Sequence, residues 1–233
     1  MSRSLGRTVA IVQARLGSSR LPMKTLLCLR GVPIIDWVTR RLSRAERLDG
    51  LVVAVPDTPL DAVLADHLRR GGVDCVAGPE ADVLARMTLA ARKRRADTIV
   101  RVCADNPLIW WKAVDLLVEH YENGRSDYAY NHVPRGNAWP DGLGAEICGR
   151  EHLEAMDGKA ALPSQREHCM NYIWDNPGDF AISTFDPPDE RLRRPDLKLD
   201  IDSPEDFARM AFMEMDPDID GPDIVRLGSS GRR

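Results

Sequence analysis

Short β-branched runs alternate with amphipathic helical stretches through the first half of this chain, and that rhythm constrains the fold more tightly than any single residue does. Val9-Ala10-Ile11-Val12 has the unbroken apolar character of a parallel strand covered on both faces. After Gly31-Val32-Pro33, the segment IIDWVTRRLSRA carries Ile34, Trp37, Val38 and Leu42 at helical spacing, with Pro33 suited to a first helical turn. Leu51 to Val55 is a second buried strand, and Thr58 and Pro59 offer an N-cap and first-turn proline to a helix that stops at Gly71-Gly72. Val73 to Val76 reads as a third strand, Asp82 to Arg95 as a helix, Thr98 to Val102 as a fourth strand, and Trp111 to Asn123 as another helix. The alternation predicts an α/β fold with a mostly parallel, doubly wound sheet, whose ligands gather beyond the strand carboxyl ends.

From Asp127 the rhythm breaks. A short strand DYAYN, the turn-rich VPRGNAWPDGLG and a strand from Ala145 to Cys148 are followed by helical segments at Glu151 to Met156 and Gln165 to Asp175, then a strand at Ala181 to Phe185. This pattern suggests a smaller lobe inserted at about 132–190 into a single domain spanning 1–215. Leu197 to Ile201 returns to strand, and Ser203-Pro204-Glu205-Asp206 opens a helix with an N-cap, a proline and an acidic first turn. Residues 216–233 read as a polar, flexible tail.

Composition removes several function classes. Hydrophobic residues make up 43% and charged residues 29% of 233 positions, which fits neither a disordered polymer nor a membrane protein. No apolar stretch approaches the roughly 20 residues a spanning helix requires, and MSRSLGRT lacks the apolar core of a secretory signal, so the cytoplasm is the expected location. A net charge of −4 with dispersed basic residues argues against a nucleic-acid-binding surface but leaves room for a small anion in one basic loop. The 5 cysteines form no CxxC pair and the 5 histidines no HExxH pair, so zinc chemistry is not expected.

Such a basic loop follows the first strand, in QARLGSSRLPMK from Gln13 to Lys24. Gly17, Ser18 and Ser19 lack bulky side chains, so backbone N–H groups there can approach an anion and the hydroxyls add donors. Arg15, Arg20 and Lys24 would compensate the charge of a polyphosphate. The loop is neither a Walker A motif, which needs Gly where Met23 stands, nor a Rossmann fingerprint, since Gly17 is its only glycine.

Asp105 follows the fourth strand and Asp202 the strand at Leu197 to Ile201, so both carboxylates fall on the same sheet edge as the loop. Two carboxylates beside a polyphosphate suggest Mg²⁺, which takes oxygen ligands from one or two acids plus phosphates and waters. Asp200 is a substitute for Asp202, two residues earlier on the same strand face. Arg86, in DVLARM at Asp82 to Met87, could reach a base or phosphate or simply face solvent.

These blocks, with RVCADNPLI at Arg101 to Ile109, REH at Arg166 to His168 and LDIDSPEDF at Leu199 to Phe207, resemble the cytidylyltransferases of the acylneuraminate and 3-deoxy-manno-octulosonate (CMP-Kdo) synthetase superfamily, especially the spore coat polysaccharide biosynthesis protein F branch. The resemblance implies a nucleotide-diphospho-sugar transferase-like fold, with Gln13, Ala14 and the small residues beside the nucleotide and Arg15 and Lys24 on the triphosphate. It also implies Mg²⁺ held by Asp105 and Asp202, and a homodimer formed through the inserted lobe. The chemistry implied is attack of an acceptor oxygen on the α-phosphorus of CTP, with pyrophosphate leaving and no protein nucleophile.

The chain departs from the family pattern at Met23, at Ala104 and Asn106 in a GDCPL-like block, and at Gly144, where PDGLGAE replaces PDGLDVE. Asp141, Glu146, Arg166, Glu167 and His168 are candidates to contact a small anionic acceptor, an acidic sugar or a related phosphonate, or else to form internal salt bridges. The rival readings are transfer of another nucleotide, such as GMP, to a sugar phosphate, a glycosyltransferase, and a non-catalytic nucleotide-binding regulatory protein.

Overall fold

The apolar runs pair side by side, and their order fixes where the basic loop lies. In the computed structural model, which describes residues 3–230, β1 (Thr8–Gln13) is followed by a small hairpin, β2 (Cys28–Leu29) and β3 (Val32–Pro33), and by α1 (Ile34–Leu42). Next come β4 (Gly50–Pro56), α2 (Pro59–Arg70), β5 (Cys75–Gly78), α3 (Val83–Lys93), β6 (Thr98–Cys103) and α4 (Trp111–Asn123). The second half contains β7 (Tyr128–Tyr130), β8 (Glu146–Gly149), α5 (Arg150–Lys159), α6 (Pro163–Glu167), α7 (Asn171–Asp175), β9 (Ile182–Thr184), α8 (Pro204–Ala211) and α9 (Gly221–Ser230).

Seven strands form one sheet in the order β5-β4-β1-β6-β8-β7-β9. The first four run parallel, β8 is antiparallel to both β6 and β7, and β9 is parallel to β7. The chain winds outward from β1 through β4 to β5 and then returns to the other side of β1 as β6. A crevice therefore opens between the carboxyl ends of β1 and β6, the switch point where α/β sheets hold their ligands. Alternate strand residues supply two cores. Ala10, Val12, Val53, Val55, Val100 and Val102 pack under α1, α2 and α4, whereas Val9, Ile11, Val52, Ala54 and Ile99 pack under α3 and α5.

The structure corrects four boundaries. The helix expected over Gln165 to Asp175 is broken in two, because His168 leaves helical backbone at the end of α6. Leu197 to Ile201 makes no full strand: Lys198 bridges Asp141 in parallel through the Asp141 N–H to Leu197 O (2.9 Å) and the Leu199 N–H to Asp141 O (2.9 Å). The segment 132–190 supplies β8 and β9 to the main sheet, so the lobe continues that sheet on its antiparallel side.

The fourth correction concerns the polar tail, most of which is helix α9 with Ile224 and Val225 buried; residues 231–233 of the expected tail lie outside the described residues. Two polar anchors bring it in. Asp220 Oδ1 accepts from Trp110 Nε1 (2.8 Å), and the buried Arg41 guanidinium donates to the carbonyls of Pro217 and Ile219 (2.9 Å each). Burial, then the neighbouring Arg44, lowers Arg41 to about 10. Gly221 is required by closeness, since a Cβ there would lie 2.8 Å from the Trp110 ring. Burying an Ile side chain adds roughly 1.5–3 kcal/mol.

Candidate active site

The loop after β1 is tied shut by its own backbone. Leu16 O accepts from the N–H groups of Ser18 (2.8 Å) and Met23 (3.1 Å), and Ser18 Oγ accepts from the Leu21 N–H (3.3 Å). The Ser18 N–H is thus engaged within the loop. A Cβ on Gly17 would meet nothing within 4 Å, so the space beside this backbone is open. Ser19 is exposed at the loop tip.

Beyond the tip the chain turns down at Met23 into a short 3-10 turn, Lys24–Leu26, which aims Lys24 into the crevice. Lys24 Nζ lies 2.9 Å from Asp105 Oδ2, 3.0 Å from Ile201 O and 3.5 Å from Asp202 Oδ1. Asp105 and Asp202 are brought together by backbone, since the Ile201 N–H donates to Asp105 O (2.9 Å). Arg20 Nη2 reaches Asp202 Oδ1 from the solvent side at 3.1 Å.

Asp202 is held from behind by Asp206 in the first turn of α8. Asp206 Oδ2 accepts from the backbone N–H of Asp202 (3.1 Å) and Ser203 (3.2 Å) and from Lys198 Nζ (2.7 Å). Burial would raise the Asp206 carboxyl, but the hydrogen bonds from Lys198 and the backbone hold it at about 2. Asp141 and Asp200 complete an acidic wall. Burial, then the nearby Asp200 carboxylate, pushes Asp141 up to about 6 against the pull of Lys198. Burial also raises Asp200, whose Oδ1 is enclosed without a hydrogen-bond partner while Oδ2 lies 3.6 Å from Lys198.

On the other side of the loop, Arg15, Glu80, Ala81, Asp82, Arg166 and Glu167 border a cleft of about 560 Å³. Arg15 Nη2 lies 3.5 Å from Glu167 Oε1. The site is a crevice with a cationic floor, an acidic wall and an adjoining open cleft. That layout suits a polyphosphate beside a second small molecule.

The cytidylyltransferase family model matches residues 9–215. The chain belongs to this family. It is 33% identical over 221 residues to an uncharacterized protein, MJ1063, of Methanocaldococcus jannaschii, covering 95% of this chain and 88% of that one. It is 30% identical over 227 residues to the spore coat polysaccharide biosynthesis protein SpsF of Bacillus subtilis, covering 93% and 92%. Among solved structures, a cytidylyltransferase from Leptospira borgpetersenii superposes with a TM-score of 0.85 at 28% identity, covering 96% of this chain and 94% of that one.

Set in this cytidylyltransferase, the candidate residues separate into groups. Arg20, Lys24, Asp105 and Asp202 meet in the crevice, whereas Arg15 lies on the adjoining cleft against Glu167. Gln13 and Ala14 stand at its base, where Gln13 Oε1 accepts from Arg101 Nη2 at 3.1 Å. Arg86, by contrast, is fully buried and does not line the cleft. Its Nη1 donates to the carbonyls of Pro79 and Glu80 (3.1 Å to Glu80), while Nε and Nη2 are enclosed without partners. Burial, then the neighbouring Arg15 charge, lowers its pKa.

The acceptor candidates divide as well. Arg166 is tied to Asp82 Oδ2 (2.8 Å from Nε) and Asp157 Oδ1 (2.7 Å from Nη2), which joins α6 to α3 and α5. His168 is exposed and does not line the cleft. Glu146 faces the wrong way for an accessible contact. It is 3% exposed, ion-paired with Arg101, and accepts from Tyr128 Oη at 2.5 Å. Burial alone would raise it, but the Arg101 guanidinium, His132 and the hydrogen bonds from Tyr128 and Arg101 hold it at about 2.

Two departures from the family pattern now have physical reasons. Met23 sits at φ 59°, the left-handed region that Gly enters freely, so the side chain there carries roughly 1–2 kcal/mol of backbone strain. Gly144 lies against Asn131, whose Oδ1 would be 2.2 Å from a Cβ at position 144. That Oδ1 accepts from the Ala145 N–H (2.9 Å), and Nδ2 donates to Ala113 O (2.9 Å). Asn131 thus fills the space a side chain at 144 would need. Gly144→Ala is expected to lower stability by about 1–3 kcal/mol in urea denaturation; an unchanged midpoint would contradict this packing.

Sequence reasoning missed Arg101, Lys198 and Asp206. Arg101 did leave a signal, because a cation inside the apolar strand TIVRVC needs a buried partner.

Proposed function

We propose that this chain transfers CMP from CTP to an acidic sugar, or to a related phosphonate or phosphorylated small molecule, and releases pyrophosphate. The observation that carries the reading is Lys24 Nζ set between Asp105 and Asp202 beneath the β1 loop, at the sheet's switch point.

In this reading the acceptor oxygen attacks the α-phosphorus, the bond to the oxygen bridging the α- and β-phosphates breaks, and the electron pair leaves with pyrophosphate. Lys24, Arg15 and Arg20 offer cations to the phosphate oxygens, where negative charge grows as the leaving group departs. No side chain needs to form a covalent bond.

The residues present fit Mg²⁺. Asp105 and Asp202 offer hard oxygen donors on either side of Lys24 Nζ, and Asp200 adds an enclosed carboxylate oxygen without a partner. Mg²⁺ held by one or two carboxylates completes its shell with substrate phosphates and water. Asp105 and Asp202 would hold it, and it would supply charge neutralisation at the phosphates. Among the described residues, no helix is long and apolar enough to cross a membrane.

The test is pyrophosphate release with each of the four nucleoside triphosphates, with and without Mg²⁺, against a panel of acidic sugars, sugar phosphates and phosphonates. The reading expects release with CTP and an acidic acceptor. Release confined to GTP and a sugar phosphate would replace it with guanylyl transfer, and no release with any pair would contradict transferase activity.

A further inference from the structure

The loop that carries Arg15 and Lys24 closes on one residue, Leu16, whose carbonyl collects the N–H groups of Ser18 and Met23. The Leu16 N–H points the other way, out of the loop, and donates to Asp61 Oδ1 at 2.7 Å. Asp61 belongs to the first turn of α2 and is 2% exposed. Its second oxygen accepts from Thr58 Oγ1 at 2.7 Å, and its own N–H donates back to Thr58 Oγ1 at 3.1 Å.

A helix cap needs only the Thr58 oxygen and the Asp61 N–H. The carboxylate goes further: it is buried and bonds a backbone 45 residues away. A backbone N–H donating to an ionised acceptor is among the stronger hydrogen bonds a protein makes. The Leu16 side chain, also buried, packs into the same core as Leu64, Ala65 and Leu68 of α2. Polar and apolar contacts thus fix Leu16 to one rigid helix.

We infer that Asp61 is a positioning residue for the triphosphate loop: it pins Leu16 and so sets the placement of Arg15 on one side and Lys24 on the other. The inference rests on the reading of the site given above. Without the pin the loop keeps its internal closure but loses its fixed distance from Asp105 and Asp202. Misplacement of binding groups by about 1 Å is enough to cost on the order of 100-fold in rate.

Three variants separate this role from capping. Asp61→Ala removes the acceptor, Asp61→Asn keeps an oxygen for the Leu16 N–H, and Thr58→Ala removes the cap oxygen but keeps the Leu16 bond. In Asp61→Ala, kcat/KM for CTP should fall on the order of 10- to 100-fold, and exchange of the Leu16 amide should quicken while exchange in β1 and β6 stays unchanged. Asp61→Asn should recover most of both losses, and Thr58→Ala should move neither by more than about twofold.

Wild-type turnover and Leu16 protection in Asp61→Ala would overturn the inference, as would Thr58→Ala matching its losses. If the wild-type protein binds no nucleoside triphosphate, the reading of the site fails. The Leu16 exchange rates then still decide whether Asp61 pins the loop.

Discussion

Lys24→Ala is expected to lower kcat/KM for pyrophosphate release by on the order of 100- to 1,000-fold while leaving the fold intact, the scale seen when one preorganised charge-stabilising donor is lost. Two functions end with that ammonium. On the proposed reading it offers a cation to the triphosphate, and it stands between Asp105 and Asp202, which it contacts at 2.9 and 3.5 Å. Its removal leaves two carboxylates facing the position a polyanion must enter, with Arg20 still on Asp202 from the solvent side. The loss should therefore appear in both KM for the triphosphate and kcat. Steady-state kinetics beside a circular dichroism melt checks it, and a variant with near-normal turnover would remove Lys24 from the mechanism.

Glu146→Ala should have the largest effect on stability. The side chains of Arg101 and Glu146 are paired at 12% and 3% exposure in adjacent strands. Deleting the acid leaves a guanidinium enclosed with Gln13 Oε1 as its remaining side-chain acceptor and with Nε already unpartnered. Breaking a buried pair from one side costs about 3–5 kcal/mol. Urea denaturation should show that loss, with little of it recovered by Glu146→Gln, which keeps a hydrogen-bond acceptor but not the charge.

The pair also gives acid sensitivity with a definite sign. Because Glu146 is held at about 2, below its ordinary 4.5, its contribution is complete above pH 4.5 and is lost as pH falls through about 2. Wild-type stability should therefore fall more steeply over that interval than that of Glu146→Gln. Equal slopes would contradict the pairing.

Much of this was legible in the sequence because local chemistry and topology agree at the crevice. The strand of Val9 to Val12 is buried on both faces and shows as a plain apolar run, and that of Thr98 to Val102 is apolar apart from Thr98 and Arg101. Once they are placed in a parallel sheet, the residues following them must share an edge. That is why Lys24 and Asp105 could be put together from spacing, and they meet at 2.9 Å.

What stayed hidden depended on register and on long-range contacts. Glu146 in the strand from Ala145 to Cys148 could be read as an acceptor contact or as half of an internal salt bridge, and only the antiparallel pairing of β8 with β6, which sets it directly opposite Arg101, decides for the second. Asp61 was readable only as part of a capped helix start, since nothing local signals its reach to Leu16. Helix α9 was masked by DGPD and by a terminal GSSGRR, yet Asp220 and Gly221 fit against Trp110, and Ile224 packs in a cluster with Trp110, Leu197 and Leu199. Gly144 suggested a lost acid, whereas Asn131 shows that no side chain fits there.

The central claim is that the crevice between β1 and β6 binds a magnesium-complexed nucleoside triphosphate. Isothermal titration of the wild-type protein with CTP, in Mg²⁺ and again in excess chelator, tests it without requiring the acceptor to be known. Saturable binding of CTP at one site per chain that weakens markedly when Mg²⁺ is chelated is the expected result. No binding of CTP in the presence of Mg²⁺, or binding equally tight in chelator, would contradict it.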